Sequence, residues 1–234
     1  MIVQLKNIFS STMHLFYPHV CTGCGSDLLQ ADNMLCLKCI HNLPHTGFAD
    51  LPNNPVEKYF WGRIKLSAAY SQFYFAKEFL MQHLIHQLKY KGDIEIGFYL
   101  GEMMGKTMLR SNRFSSIDAL IPLPLYADKE HKRGYNQATV ICNGISSVMN
   151  IPVLNGAVIR RHATETQTRK HRTERWENVK DSFKVAKPGD LSGKHLLLVD
   201  DVVTTGATLE ACGNIILEVE HVNLSIATLA YAAK

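Results

Sequence analysis

The sequence has no apolar run long enough to cross a bilayer, which takes about 20 consecutive apolar residues as a helix. It has no internal repeat and no low-complexity tract, so solenoid and linker architectures are excluded as well. Charge is scarce: 25 Lys and Arg against 21 Asp and Glu leave a formal net of +4. So small a balance permits anionic ligands or nucleic acid without demanding either. A secretory signal is also missing. Lys6, Asn7, Ser10, Ser11 and Thr12 interrupt the apolar residues near the start, and no small-residue cleavage site follows. Ile2, Leu5, Phe9, Met13 and Phe16 recur at helical spacing instead and predict an amphipathic helix. The cytoplasm is the expected compartment.

What is present suits a globular protein with a proper core. The 234 residues are 46% hydrophobic, enough for one domain of ordinary size and a small module. The expected division is residues 1–60 and residues 61–234, with the stretch LPNNPVEKYF closing the first part. In the second part strand and helix patterns alternate. Strands are predicted at Ile64–Tyr70, Ile117–Leu125, Val153–Ile159, Lys194–Asp201 and Val222–Ala230. Helices are predicted over the face Phe75, Phe79, Leu80, Leu84, Leu88, then Ile96–Leu109, Asn136–Met149 and Thr205–Val219. Alternation of this kind implies an α/β fold with a mostly parallel sheet flanked by helices. Ligands of such sheets sit beyond the carboxyl ends of the strands.

The six cysteines split four and two. Cys21, Cys24, Cys36 and Cys39 form a doubled C-x2-C, two knuckles that each aim two thiolates at one point. Four soft ligands so arranged suit tetrahedral zinc, and a segment this short has too little core to fold well without it. A redox pair would need no second copy. Cys142 and Cys212 stand alone in apolar stretches and read as buried small hydrophobes. Residues 1–60 carry Lys6, Lys38 and Lys58 against Asp27, Asp32, Asp50 and Glu57, a net of −1, and four thiolates on one zinc add more negative charge. A structural or protein-docking module is expected rather than a DNA-binding one.

The segment HLLLVDDVVTTGATLEA carries the chemistry. Leu196–Val199 form a short apolar run of a strand buried on both faces. Asp200 and Asp201 follow, then Thr204, Thr205, Gly206, Ala207 and Thr208, then a helix. Small residues and a glycine let backbone N–H groups converge, and the helix start adds unpaired N–H groups and a positive dipole end. Such a loop holds a phosphate monoester with little help from Lys or Arg. The two carboxylates would repel phosphate and suit the vicinal hydroxyls of a sugar. Phosphate at one end and a diol nearby describe a ribose 5-phosphate. By contrast, Gly101-Glu-Met-Met-Gly105-Lys106-Thr107 only imitates a P-loop: it is one residue short and no buried strand leads into it, so it is predicted to be helix.

Leu196–Thr208 resembles the 5-phosphoribosyl-1-pyrophosphate (PRPP) signature of the type I phosphoribosyltransferases. The resemblance implies that Thr204–Thr208 bind the 5-phosphate and that Asp200 and Asp201 contact the ribose hydroxyls. IPLPLYADKEHKRGYNQA, RRHATETQTRKHRTERWENVKDSF, QLKYKGD and the CTGC…CLKC module are similar to the ComF family, also called GntX-like or competence-protein-F-like. Together these stretches cover nearly the whole chain. They imply a type I phosphoribosyltransferase fold with a small N-terminal zinc-ribbon-like module.

The resemblance also gives the basic loops a place. Tyr126–Tyr135 is predicted to be a polar loop at the carboxyl end of its strand. Its Lys132, Arg133 and Gly134 are where the type I fold holds pyrophosphate, a solvated basic turn being the other reading. Arg160–Lys180 holds seven Lys or Arg against three Glu and matches the flexible loop that closes over substrate, with Gln167, Arg172 and Arg175 as candidate catalytic residues. A plain surface loop is its rival. The activity implied is displacement at C1 of PRPP by a nitrogen nucleophile, assisted by Mg²⁺. No residue stands out as general base, and aromatics do not interleave with the basic residues of Arg160–Lys180, so single-strand stacking has no obvious platform. The alternative is a non-catalytic PRPP-binding adaptor in DNA uptake, acting through single-stranded DNA or through DNA-uptake or recombination proteins. Purine-pathway amidotransferase chemistry is not expected, since it needs an N-terminal cysteine and the sequence opens Met1-Ile2.

Overall fold

Leu196–Val199 are wholly buried, and the strand they form is covered on both edges by parallel neighbours. This is the physical reason for an unbroken apolar run where a half-exposed strand would alternate. In the computed structural model, which describes residues 20–27, 29, 33–75, 80–161 and 182–232, that strand is β5 (His195–Val203). The sheet also contains β1 (Ala68–Tyr74), β2 (Ala119–Pro122) and β6 (Asn223–Tyr231). Its order is β1-β6-β5-β2, parallel throughout. Pairing of Pro122 with Val199 and of Val203 with Tyr231 brings the carboxyl ends of the strands to one side. Across β1 and β6 the hydroxyls of Ser71 and Thr228, both fully buried, hydrogen-bond each other.

The chain divides into two compact units, Met1–Leu43 and Pro44–Lys234. The boundary expected at residue 60 falls inside the second unit, because residues 44–60 are tied to β1. Asn54, fully buried, donates through its amide to Ala69 O at 2.7 Å and to Leu51 O at 3.0 Å. The same side chain accepts from Val56 and Glu57 N–H, capping the short helix α2 (Pro55–Lys58). Glu57 accepts from Ala69 N–H and pairs with Arg113. In the first unit the short helix α1 (Leu37–His41) follows Cys36. The amphipathic helix predicted before Val20 lies outside the described residues.

Helix α3 (Leu80–His86) runs into a π-helical turn, Gln87–Lys91, that ends at Gly92 with φ +74°. Phe79, placed on that helix face from its spacing, lies outside the described residues. Helix α4 (Ile94–Arg110) contains the P-loop imitation, which is helix as expected. Its glycines serve packing: a Cβ on Gly101 would stand 2.3 Å from Ile141 O, and one on Gly144 would stand 2.1 Å from Phe98 O. The two glycines let α4 and α6 (Gln137–Met149) touch backbone to backbone. Cys142 and Cys212 are fully buried, as their apolar settings predicted.

Two expectations are corrected. The polar stretch after β2 is a helix, α5 (Ala127–Arg133), rather than a loop. Asp128 and Glu130 lie in its first turn and His131, Lys132 and Arg133 in its last, matching the helix dipole at both ends. It buries no residue, so it has no apolar period to read. The strand expected at Val153–Ile159 is split. Val153 makes one isolated bridge to Leu120, the chain turns at Gly156 with φ +71°, and only then does β3 (Val158–Arg160) begin. Its partner is β4 (Phe183–Val185), antiparallel and outside the main sheet. A short helix, α7 (Pro188–Leu191), leads from there back to β5.

Candidate functional site

The site is built where β5 gives way to helix α8 (Ala207–Leu217). Strand β5 extends two residues past its predicted end, so Asp200 and Asp201 sit within it. Strand alternation sends their side chains to opposite sides, yet Asp201 N–H donates to Asp200 Oδ1 at 2.8 Å. Thr204 and Thr205 are exposed, and Gly206 is the N-cap of α8 at φ +73°. Only glycine fits there. Its backbone is left-handed, and a Cβ would meet Phe60 Cε1 at 2.9 Å. Ala207 and Thr208 open the helix, with Ala207 N–H near Thr205 Oγ1 at 3.4 Å. The turn is fastened from outside: Arg63 donates to Thr205 O at 3.0 Å and to Tyr59 O at 2.8 Å, and pairs with Glu210 on α8. Nothing in the local sequence pointed to Arg63, which lies far away along the chain.

Electrostatics divides the two acids. Burial, then the charge of Asp201, pushes the Asp200 carboxyl from an ordinary 3.8 up to about 8, against the opposing pull of Lys89 and Arg160. Asp201, only 8% exposed, has a counter-ion: Lys89 Nζ lies 2.8 Å from its Oδ2. Lys89 comes from the π-helical turn in QLKYKGD, a stretch to which the sequence assigned no role. Such turns recur at functional positions because the extra residue re-aims a side chain.

The predicted pyrophosphate residues lie on the same side. Lys132 and Arg133 occupy the last turn of α5, and Gly134, with φ +89°, ends it. The segment is locked to the Lys89 turn, with Tyr135 donating its hydroxyl to Leu88 O and Arg133 standing 5.9 Å from the Tyr90 ring centre. Of Arg160–Lys180 only Arg160 and Arg161 are described. Arg160 stacks 4.0 Å from the Tyr126 ring centre and 5.0 Å from that of Phe183. Gln167, Arg172 and Arg175 lie outside the described residues. Beside Arg160 a cavity of about 390 Å³ is lined by Pro124, Glu130, Asn136, Thr139 and Asn155. A larger cleft of about 550 Å³, between β4 and the end of α8, contains neither carboxylate.

In the first unit the Sγ atoms of Cys21, Cys24, Cys36 and Cys39 all lie within 4.8 Å of one another. Cys24 and Cys36 sulfurs are 3.7 Å apart. Thiolates about 2.3 Å from a tetrahedral ion stand roughly 3.8 Å from each other, so the four can hold one metal. Burial works to raise the Cys21 thiol, but N–H groups of Cys36, Cys24 and Gly23 outweigh it and bring the group down to about 6. Burial and the neighbouring sulfurs push Cys39 up.

Three comparisons bear on this geometry. Residues 136–234 match the family model "Phosphoribosyl transferase domain". The chain is 30% identical over 206 residues to "DNA utilization protein YhgH" of Shigella flexneri, covering 85% of this chain and 84% of that one. It is 27% identical over 220 residues to "Competence protein F" of Haemophilus influenzae, covering 89% and 96%. The chain belongs to the ComF family. This ComF-family chain has the parallel sheet and flanking helices of a type I phosphoribosyltransferase, together with a four-cysteine module. Among solved structures, glutamine PRPP amidotransferase from B. subtilis, complexed with ADP and GMP, aligns with TM-score 0.39 at 17% identity. That alignment covers 56% of this chain and spans a quarter (25%) of the other. Among the described residues no helix is long and apolar enough to cross a membrane.

Proposed function

We propose that the chain binds PRPP with Mg²⁺ at the carboxyl ends of β2 and β5 and transfers its phosphoribosyl group to a nitrogen acceptor, releasing pyrophosphate. One observation carries the reading: two carboxylates lie near the carboxyl end of a buried strand, and a left-handed Gly206 opens a helix a few residues later. In this reading the N–H groups of Thr204–Thr208 take the 5-phosphate. Asp200 and Asp201 contact the ribose hydroxyls, each carboxylate able to accept hydrogen bonds from the diol. Lys132 and Arg133 face the pyrophosphate and stabilise its growing charge as the C1–O bond opens. Mg²⁺ bound with the substrate supplies further neutralisation of the leaving group. Gln167, Arg172 and Arg175 remain candidates for closing over the acceptor. Zinc is the metal proposed for Cys21, Cys24, Cys36 and Cys39, since four sulfur ligands in a closed tetrahedral set favour it. The names of the relatives, DNA utilization and competence, suggest DNA uptake in the cytoplasm as the setting, with single-stranded DNA or recombination proteins as partners. Those names also favour a second reading, a PRPP-binding adaptor that transfers nothing.

Calorimetric titration of the metal-loaded protein with PRPP and Mg²⁺ tests the site. Saturable binding is expected, abolished in Asp200→Asn and Asp201→Asn with metal content unchanged. Cys36→Ser is expected to lose the metal and keep the titration. Absence of binding at millimolar PRPP would overturn the reading. Pyrophosphate release with added nitrogen acceptors then separates transferase from adaptor.

A further inference from the structure

The Lys89 ion pair occupies a group that the proposed ligand needs. Asp201 is nearly buried and, in the PRPP reading on which this inference rests, must receive a ribose hydroxyl. In the free protein its Oδ2 is held by Lys89 Nζ at 2.8 Å. Two adjacent carboxyls in a desolvated place need such a neutralising charge. A fixed structural ion pair would serve equally well from a neighbouring strand or from α8. Instead the ammonium reaches in from the π-helical turn Gln87–Lys91, which the basic segment around α5 grips through Tyr135 on Leu88 O and Arg133 beside Tyr90. The turn that carries Lys89 thus touches both an acid assigned to the ribose and the segment that holds the cations assigned to the pyrophosphate. Its side chain is 23% exposed, so its end is in reach of a ligand. The long, flexible stem of a lysine lets the charge move without the backbone moving.

We propose that Lys89 is an exchangeable counter-ion: it neutralises Asp201 in the free protein, leaves it when the ribose hydroxyls arrive, and then binds the pyrophosphate of PRPP. The exchange favours ligands that bring both parts. A ribose phosphate without pyrophosphate displaces the ammonium and gives it no new partner. PRPP displaces it and supplies an anion within reach. Lys89 therefore sets a preference for the activated sugar over its spent form, which a turn of fixed structure does not do.

The test compares titrations of PRPP and ribose 5-phosphate, each with Mg²⁺, into wild type and Lys89→Met. Loss of one charge-assisted contact is expected to weaken PRPP roughly tenfold to a hundredfold, and to leave ribose 5-phosphate unchanged or tighter. Equal weakening of both ligands would mean that Lys89 only holds the fold, and unchanged PRPP affinity would mean that it never meets the ligand; either overturns the inference alone. A wild type that binds neither ligand removes the PRPP reading itself. If Lys89→Met does not fold, reductive ¹³C-methylation of the wild-type lysines gives a second measurement. The Lys89 signal, assigned by its loss in Lys89→Arg, is expected to shift differently with the two ligands. A signal that stays in place at saturating PRPP rejects the exchange.

Discussion

Asp200 illustrates how a residue proposed to carry function comes at a cost to the fold. Its carboxyl ordinarily titrates at 3.8 and in the folded protein at about 8. Between those values the folded state keeps a proton that the unfolded chain releases, so stability falls as pH rises through this window. The penalty is absent below the lower value and complete above the upper one. Asp200→Asn removes the titration and keeps the shape. Its melting temperature is expected to exceed that of wild type by a margin that grows from about pH 4 to about pH 8 and vanishes below. Thermal melts across that range check this, and a margin independent of pH would place the strain elsewhere. Asp200 and Asp201 were legible in the sequence as chemistry. Their surroundings were not, because Lys89 beside Asp201 and the burial that pushes the Asp200 carboxyl up are set by distant parts of the chain.

At the scale of elements, the close approach of α4 and α6 depends on facing glycines. Alanine at Gly144 gains about 1 kcal/mol of helix propensity. Against this stands a Cβ placed 2.1 Å from Phe98 O, a backbone atom that cannot swing aside. Overpacking of this kind costs about 1–3 kcal/mol, so Gly144→Ala is expected to lower the melting temperature despite the better helix former. A variant as stable as wild type would show that the helices separate without loss. Elements with a buried face were readable in advance: β5, β6, α4 and α6 lie within a few residues of where their apolar patterns put them. Helix α5 was not, since it buries nothing and its order comes from charges at its ends and Gly134 at its stop. The β3–β4 pair escaped notice for a related reason: three-residue strands are too short to show a period.

Over the whole molecule the proposed phosphate loop is held by parts of the chain far from it in sequence. Arg63 precedes β1, yet donates to Thr205 O and pairs with Glu210, while Phe60 packs against Gly206. Arg63→Ala is expected to weaken PRPP and ribose 5-phosphate to a similar degree, because in the proposed reading both use the 5-phosphate loop. The pair is partly exposed, and its loss should lower stability by about 1 kcal/mol or less. Titration with both ligands distinguishes this from the selective effect expected at Lys89.

The sequence by itself determined the family, the parallel α/β order, the PRPP-like loop and the four-cysteine cluster. Each of these is a contiguous or closely spaced pattern whose meaning is local: a buried strand, a glycine turn, a doubled pair of thiols. Tertiary structure alone decided that Lys89 pairs with Asp201, that Arg63 and Phe60 brace Gly206, and that burial pushes the Asp200 carboxyl up. Those facts depend on which distant side chains share a small desolvated space, and charge and burial act through space rather than along the chain.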